Sequence, residues 1–311
     1  MKETTISADL KTSLLCFVCT FFWGAGYPVL KISYTYWKIG NTDIAGKLLF
    51  AGVRFMISGV LLLTISSIKK KKPALPEKKA LPKIALLGLC QTVLQYGLLY
   101  VGLAFTTGAK SSVLNQINVF LLVLVTPLFY KNEKISRSKV IGCILGFAGI
   151  MIMNLRGLSF SLNLGDGIVV MSSCFAAAGY LLSKSMPAGT DPIGTTACQQ
   201  LFGGVVLLIV GILNNGRLTA LSWKGISCLG FLVMAAAIAY SIWFYLLQYN
   251  EVGKISVYKF LTPLIGVALS GVLLGEEVLT LENTIALPLV CIGIVIVNGS
   301  ANKHLRGKST C

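Results

Sequence analysis

Ala109-Lys110-Ser111-Ser112-Val113-Leu114-Asn115-Gln116-Ile117-Asn118 returns 144 residues later (253 − 109) as Gly253-Lys254-Ile255-Ser256-Val257-Tyr258-Lys259-Phe260-Leu261-Thr262. The two frames run without a gap over 109–154 and 253–298, and eleven of the 46 aligned positions are identical. The identities include Lys110/Lys254, Ser112/Ser256, Glu133/Glu277, Gly149/Gly293 and Asn154/Asn298. A shared apolar bias produces aliphatic matches, but it does not line up Lys, Ser, Glu, Gly and Asn in one frame. Each copy reads as two apolar helices joined by a short charged turn. A duplication of this kind fixes the architecture before any local reading, because each copy is one structural unit.

The surrounding chain is built for lipid. Its 311 residues are 55% hydrophobic and only 12% charged, with a mean hydropathy of +0.79; soluble domains carry roughly 25% charged residues. Ten apolar runs occur, at about 13–33, 47–68, 83–105, 108–130, 138–155, 165–184, 193–213, 223–247, 253–275 and 282–300. At 1.5 Å per residue, about 20 residues cross a ~30 Å hydrocarbon core. The fold class expected is an all-α membrane protein of ten transmembrane helices. Five belong to a first unit over 13–155, five to a second over 165–300, and 301–311 is a tail.

Charge sets the orientation. The net charge of +16 resides in the short connections, where it is topogenic and does not signal nucleic acid: cytoplasmic loops are enriched in Lys and Arg. With the N-terminus inside, eighteen basic residues fall on the cytoplasmic side (Lys69, Lys70, Lys71 and Lys72 among them) and six, such as Arg156 and Arg217, on the other. Both termini are therefore expected to be cytoplasmic. Five helices per unit is odd, so the second unit lies upside down relative to the first. The two repeated turns agree: Lys131, Lys134, Arg137 and Lys139 follow the fourth run, whereas Glu276, Glu277 and Glu282 follow the ninth. Inverted repeats are typical of transporters that bind solute near the midplane between halves.

The duplication reaches further. Gly26-Tyr27-Pro28-Val29-Leu30-Lys31 and Gly179-Tyr180-Leu181-Leu182-Ser183-Lys184 share Gly-Tyr-x-x-x-Lys, and Tyr96 and Tyr240 fall at the 144 offset (240 − 96). Trp23-Gly24 followed by Lys31, Arg54-Phe55, Thr262-Pro263 and Gly275-Glu276 form a pattern that resembles the drug/metabolite transporter superfamily, EamA type. That resemblance covers about residues 13 to 300. It implies ten helices in two five-helix units and a metabolite transporter in the cell membrane, of the bacterial cytoplasmic kind, with efflux as its direction.

Candidate chemistry is sparse. All eleven acidic residues lie in loops or at helix ends, which argues against a mid-membrane carboxylate relay. His304, the one histidine, lies in the tail, so neither an enzyme's catalytic set nor a metal site is expected, and no cofactor. The nine cysteines are scattered and behave as small hydrophobes. Lys259 and Arg54 are the basic residues well inside apolar runs. Lys259 has Asn115 as its repeat partner, and Thr262 has Asn118; spacing of three puts each pair on one helix face. With Gln116 they form two related polar faces, expected to bind substrate, with Lys259 snorkelling to the interface as the alternative. Trp23, Tyr27, Tyr96, Tyr100, Tyr180, Tyr240 and Trp243 are expected to supply aromatic walls. Arg54 is expected to pair with a helix-end carboxylate or carbonyls in preference to substrate. Gly142, Gly146 and Gly149, and Gly271 with Gly275, offer close-packing faces, within one chain or in a homodimer. The function expected is secondary transport of a small molecule across the lipid bilayer, an amino acid or other anionic or zwitterionic solute. Export of hydrophobic or cationic drug-like compounds and a non-transporting structural or sensor role are the alternatives.

Overall fold

The computed structural model describes residues 2–71, 76–131, 133–155, 163–187, 189–219 and 222–307, without the side chains of 2–8, 109 and 299–307. Lys72 and Arg156, counted above among the loop charges, lie outside the described residues, as do residues 308–311 of the tail and the side chain of His304. Ten helices follow in series. They are α1 (Lys2–Tyr36), α2 (Ile44–Lys70), α3 (Lys78–Leu103), α4 (Gly108–Asn115 continuing as Ile117–Phe129), α5 (Arg137–Met153) and α6 (Leu164–Lys184). Then come α7 (Pro192–Leu213), α8 (Trp223–Tyr249), α9 (Val252–Ser256, a 3-10 turn Val257–Phe260, then Leu261–Leu274) and α10 (Leu281–Gly307). Among the described residues nine of these are long and apolar enough to span a bilayer. The tenth, α5, has 17 residues, about 25 Å at 1.5 Å per residue.

Within hydrocarbon a backbone group finds no water, so only helices with satisfied ends are viable. The ends are closed by short polar side chains. Asp43 accepts from Gly46 N at 2.7 Å at the start of α2. Asn163 and Asp166 form a reciprocal capping box on α6, which satisfies two orphan donors at once. Asp191 caps α7, whose first residue is Pro192, a position where the missing N–H costs nothing.

The helices pair in a two-fold pattern. The most extensive interfaces join α2 to α7 and α5 to α10, followed by α1 with α8 and α9, and α3 and α4 with α6. Replacing each helix by the one five places on leaves this pattern unchanged. Glycine permits the closest approaches. A Cβ on Gly204 of α7 would lie 2.4 Å from Met56 N of α2, and one on Gly142 of α5 would lie 2.7 Å from Gly293 O of α10. The glycine face of α5 is thus taken up inside the chain: Gly146 packs on Phe260 and Gly149 on Val290. Gly275 has φ +70° and ends α9 as its left-handed C-cap, a conformation glycine adopts without a Cβ clash.

Continuous helices are expected over 108–130 and 253–275, and the structure differs. Both α4 and α9 are interrupted, and at matching points: Gln116 breaks α4, and its repeat partner Phe260 (260 − 116 = 144) ends the 3-10 turn of α9. In α4 the Asn118 side chain donates to Asn115 O, and Val119 N turns to Gln116 O at 2.9 Å. An Asn amide competing with the backbone ladder is a known helix disruptor. Ser173 of α6 donates to the adjacent Leu114 O at 3.1 Å. In α9, Pro263 cannot donate to Lys259 O, and that carbonyl is engaged by Leu261 N instead, tightening the turn. A further departure has no counterpart: α3 carries a π-helical turn over Leu89–Leu94, while 233–238 in α8 is regular helix. The wide turn seats Gln91 against Gly179 and Thr92 against Gly203.

Candidate substrate site

The breaks border a cavity of about 180 Å³. Its walls come from the C-terminal halves of α1 (Trp23, Tyr27) and α3 (Tyr96, Tyr100), the N-terminal half of α2 (Arg54), the break of α4 (Asn115, Gln116, Asn118), and α6, α8 and α9 (Tyr180, Tyr240, Lys259, Thr262). Tyr27 on its rim is 48% exposed. The opposite side of the bundle is shut. There Asp9 pairs with Lys254 at 2.8 Å, Thr12 donates to Asn250 at 3.2 Å, and Lys184 donates to Asn250 O at 2.7 Å. Glu133 accepts from Val252 N at 2.5 Å, and Lys139 lies 2.8 Å from Glu251. These contacts join the beginnings of α1, α5 and α9 to the ends of α4, α6 and α8, as helices alternating in direction require.

Lys259 stands at the cavity's inner end. It is 8% exposed and donates to Asn118 Oδ1 at 2.7 Å. Its ammonium lies 4.0 Å from the centre of the Tyr180 ring and 5.6 Å from that of Trp23. Each such cation–π contact contributes on the order of 0.5–2 kcal/mol. Centring a lysine in a membrane helix costs roughly 2.5–3.5 kcal/mol on insertion scales. An amide and two rings thus hold the Lys259 amino group, and among the described residues it pairs with no carboxylate. The snorkelling alternative is not what the structure has: Lys259 points inward to Asn118 of α4.

Arg54 is the second cation. It too is 8% exposed, with its guanidinium carbon 4.3 Å from the Phe55 ring centre and 5.4 Å from that of Tyr96. Among the described residues it pairs with no carboxylate, so the expected helix-end partner is not found. The hydroxyls of Tyr96 and Tyr240 meet at 2.8 Å, closing the 144 offset as a direct contact across the two halves. Several polar atoms at the wall have no protein partner, namely Trp23 Nε1, Arg54 Nε, Gln95 Oε1, Gln116 Oε1 and Thr262 Oγ1. Buried polar groups are ordinarily hydrogen-bonded, and these five atoms gather at one cavity.

Eleven of the twelve residues expected at the site border this cavity. Trp243 does not: it is 1% exposed and packs behind the wall, 5.1 Å from the Trp23 ring and 6.1 Å from that of Tyr180. Arg54 and Gln95 line the cavity without having been expected there. Arg54 carried the signal of an intramembrane charge, and Gln95 precedes Tyr96 on α3. Cys16 and Cys19 are free, fully buried packing residues. No cluster of metal-ligating side chains occurs among the described residues.

Residues 10–155 and 163–299 each match the EamA-like transporter family. The chain belongs to that family. It is 30% identical over 292 residues to the uncharacterized transporter YvbV of Bacillus subtilis, covering 93% of this chain and 92% of that one. The uncharacterized inner membrane transporter YedA of Escherichia coli is 28% identical over 287 residues, at 90% and 88% coverage. A solved crystal structure superposes with a TM-score of 0.79 at 16% identity, over 94% of this chain and 98% of the other; it shows likeness of fold. This EamA-like chain is therefore a multi-pass membrane transporter with two EamA repeats, and not an enzyme. The cavity beside the breaks of α4 and α9 is lined by residues of both repeats.

Proposed function

We propose that this EamA-like transporter carries a small anionic or zwitterionic metabolite, with Lys259 as the group that takes its anionic end. The observation that supports this most is a buried lysine in the cavity wall whose one hydrogen-bond partner is a neutral amide. Among the described residues no acidic side chain lines the cavity, so a negative solute supplies the missing counter-charge. The aromatic walls accept the remainder of the molecule. Cationic drug-like compounds fit less well, because they would meet Lys259 and Arg54 without a compensating carboxylate.

Transport proceeds by alternating access between two inverted repeats. With both termini cytoplasmic, as the loop charges imply, the cavity faces outward and the contacts around Asn250 and Glu133 close the cytoplasmic side. Rocking of the repeats about the broken helices then exchanges the open and closed ends. The direction follows the solute's gradient and that of any coupled ion, with export favoured.

Reconstituted protein tests this with radiolabelled amino acids, organic acids, nucleosides and cationic drugs. Lys259→Ala is expected to lower transport of the solute identified by about tenfold or more at equal amounts of folded protein, since a hydrogen bond to a charged group contributes roughly 1.5–3 kcal/mol. Undiminished transport by Lys259→Ala would remove Lys259 from the site. A solute panel dominated by cations would overturn the substrate class.

A further inference from the structure

Among the described residues Arg54 pairs with no carboxylate. It is more than nine-tenths buried, lines the cavity, and its Nε has no partner. It lies against the ring faces of Phe55 and Tyr96 and close to Tyr34, Tyr100 and Tyr240. A guanidinium is a fork of five donors suited to a carboxylate or phosphate taken through two parallel bonds. Lys259, with one donor engaged by Asn118, stands in the same cavity, which the Tyr96–Tyr240 hydroxyl pair also lines. The links run from Arg54 over Tyr96 to Tyr240, from Tyr240 to Trp23 at 5.7 Å, and from Trp23 to Lys259. Aromatic rings thus link two cations that, among the described residues, no acidic side chain neutralises. Two cations in one cavity leave two positive charges for a solute to balance.

From this geometry we propose that the cavity takes a solute with two anionic groups, one on Lys259 and the other on Arg54, its carbon backbone lying along the aromatic rings. The proposal rests on the reading of Lys259 given above and assigns Arg54 as the residue that separates two-headed acids from single-headed ones. Carboxylate and phosphate share the recognised chemistry, a compact anion with paired oxygen acceptors, and only binding measurements separate them.

The test is binding to the full-length protein in detergent, read as tryptophan fluorescence and as thermal stabilisation, since a ligand stabilises the state it binds. The probes are succinate, glutarate and 3-phosphoglycerate as two-headed acids, butyrate as a single-headed acid, and 4-aminobutyrate as a zwitterion of similar length. The intact protein is expected to bind at least one two-headed acid about tenfold or more tighter than butyrate, the scale of one charge-assisted contact. Arg54→Gln is expected to bring that acid down to the affinity of butyrate while leaving butyrate unchanged. Lys259→Gln is expected to weaken every anion. Arg54→Lys keeps the charge but not the fork; it is expected to weaken the two-headed acid several-fold and serves if the glutamine variant does not fold. Equal affinities for one- and two-headed acids in the intact protein, or discrimination unaltered by Arg54→Gln, would overturn the assignment of Arg54 alone. Indifference of all anions to Lys259→Gln, or no anion binding by folded protein, would overturn the reading beneath it as well.

Discussion

Lys259 occupies the place that Asn115 holds in the first repeat, and that mismatch gives the cavity its inner charge. Its partner Asn118 has two tasks: Oδ1 accepts from Lys259 at 2.7 Å and Nδ2 caps the carbonyl of Asn115. A neutral acceptor leaves the lysine's charge available to a solute, whereas a carboxylate would consume it. Asn118→Asp is therefore expected to abolish anion transport while raising the melting temperature in detergent by about 2 °C or more, since the new pair compensates a buried charge. Retained transport, or a variant no more heat-stable than the parent, would show that Lys259 does not carry a free charge into the cavity.

Among the elements, the broken helices and the glycine seams divide the labour. The interruptions at Gln116 and Phe260 fall beside the wall residues Asn115, Asn118, Lys259 and Thr262. The seam between α2 and α7 does the opposite, locking two helices at close range. Gly204→Ala would bring a methyl within 2.4 Å of Met56 N, a backbone atom that cannot swing aside. It is expected to cost roughly 1–3 kcal/mol, as overpacking does, and to lower the melting temperature. Gly230→Ala on α8, where an added Cβ meets nothing within 4 Å, is expected to leave the melt unchanged. Equal melts for the two variants would argue against close packing of α2 on α7.

For the whole molecule, the repeat-matched Glu133 and Glu277 report on the two mouths. Glu133 is 5% exposed and holds the first N–H of α9, Val252 N, where the helix's positive end favours a carboxylate. Glu277 is exposed, on the side where the cavity opens. The alternating-access cycle proposed above would exchange these environments. In the inward-facing state Glu277 is expected to come over Gly108 at the start of α4, the repeat counterpart of Val252 (252 − 144 = 108). Cysteines at 108 and 277, in a background without native cysteines, are expected to cross-link readily only when Glu133→Gln loosens the closure around Val252. Cross-linking that is equally fast with and without that change would mean that the two mouths do not alternate in this way.

The chain by itself determined the ten-helix series, the duplication and most of the cavity wall, because hydrophobic length and a repeated polar frame are local properties of sequence. Tyr96 and Tyr240, placed together by an offset of 144, touch through their hydroxyls, and Lys259 sits on the same helix face as Thr262 in one wall. Only the tertiary structure decided where helices break, since Asn118 turning on Asn115 O is a competition between side chain and ladder that composition does not reveal. It alone moved Trp243 behind the wall and turned Arg54 into the cavity, because burial against a neighbour depends on how seven helices converge. It also shut one mouth and left the other open, a choice between two arrangements of nearly equivalent repeats that their common sequence leaves undetermined.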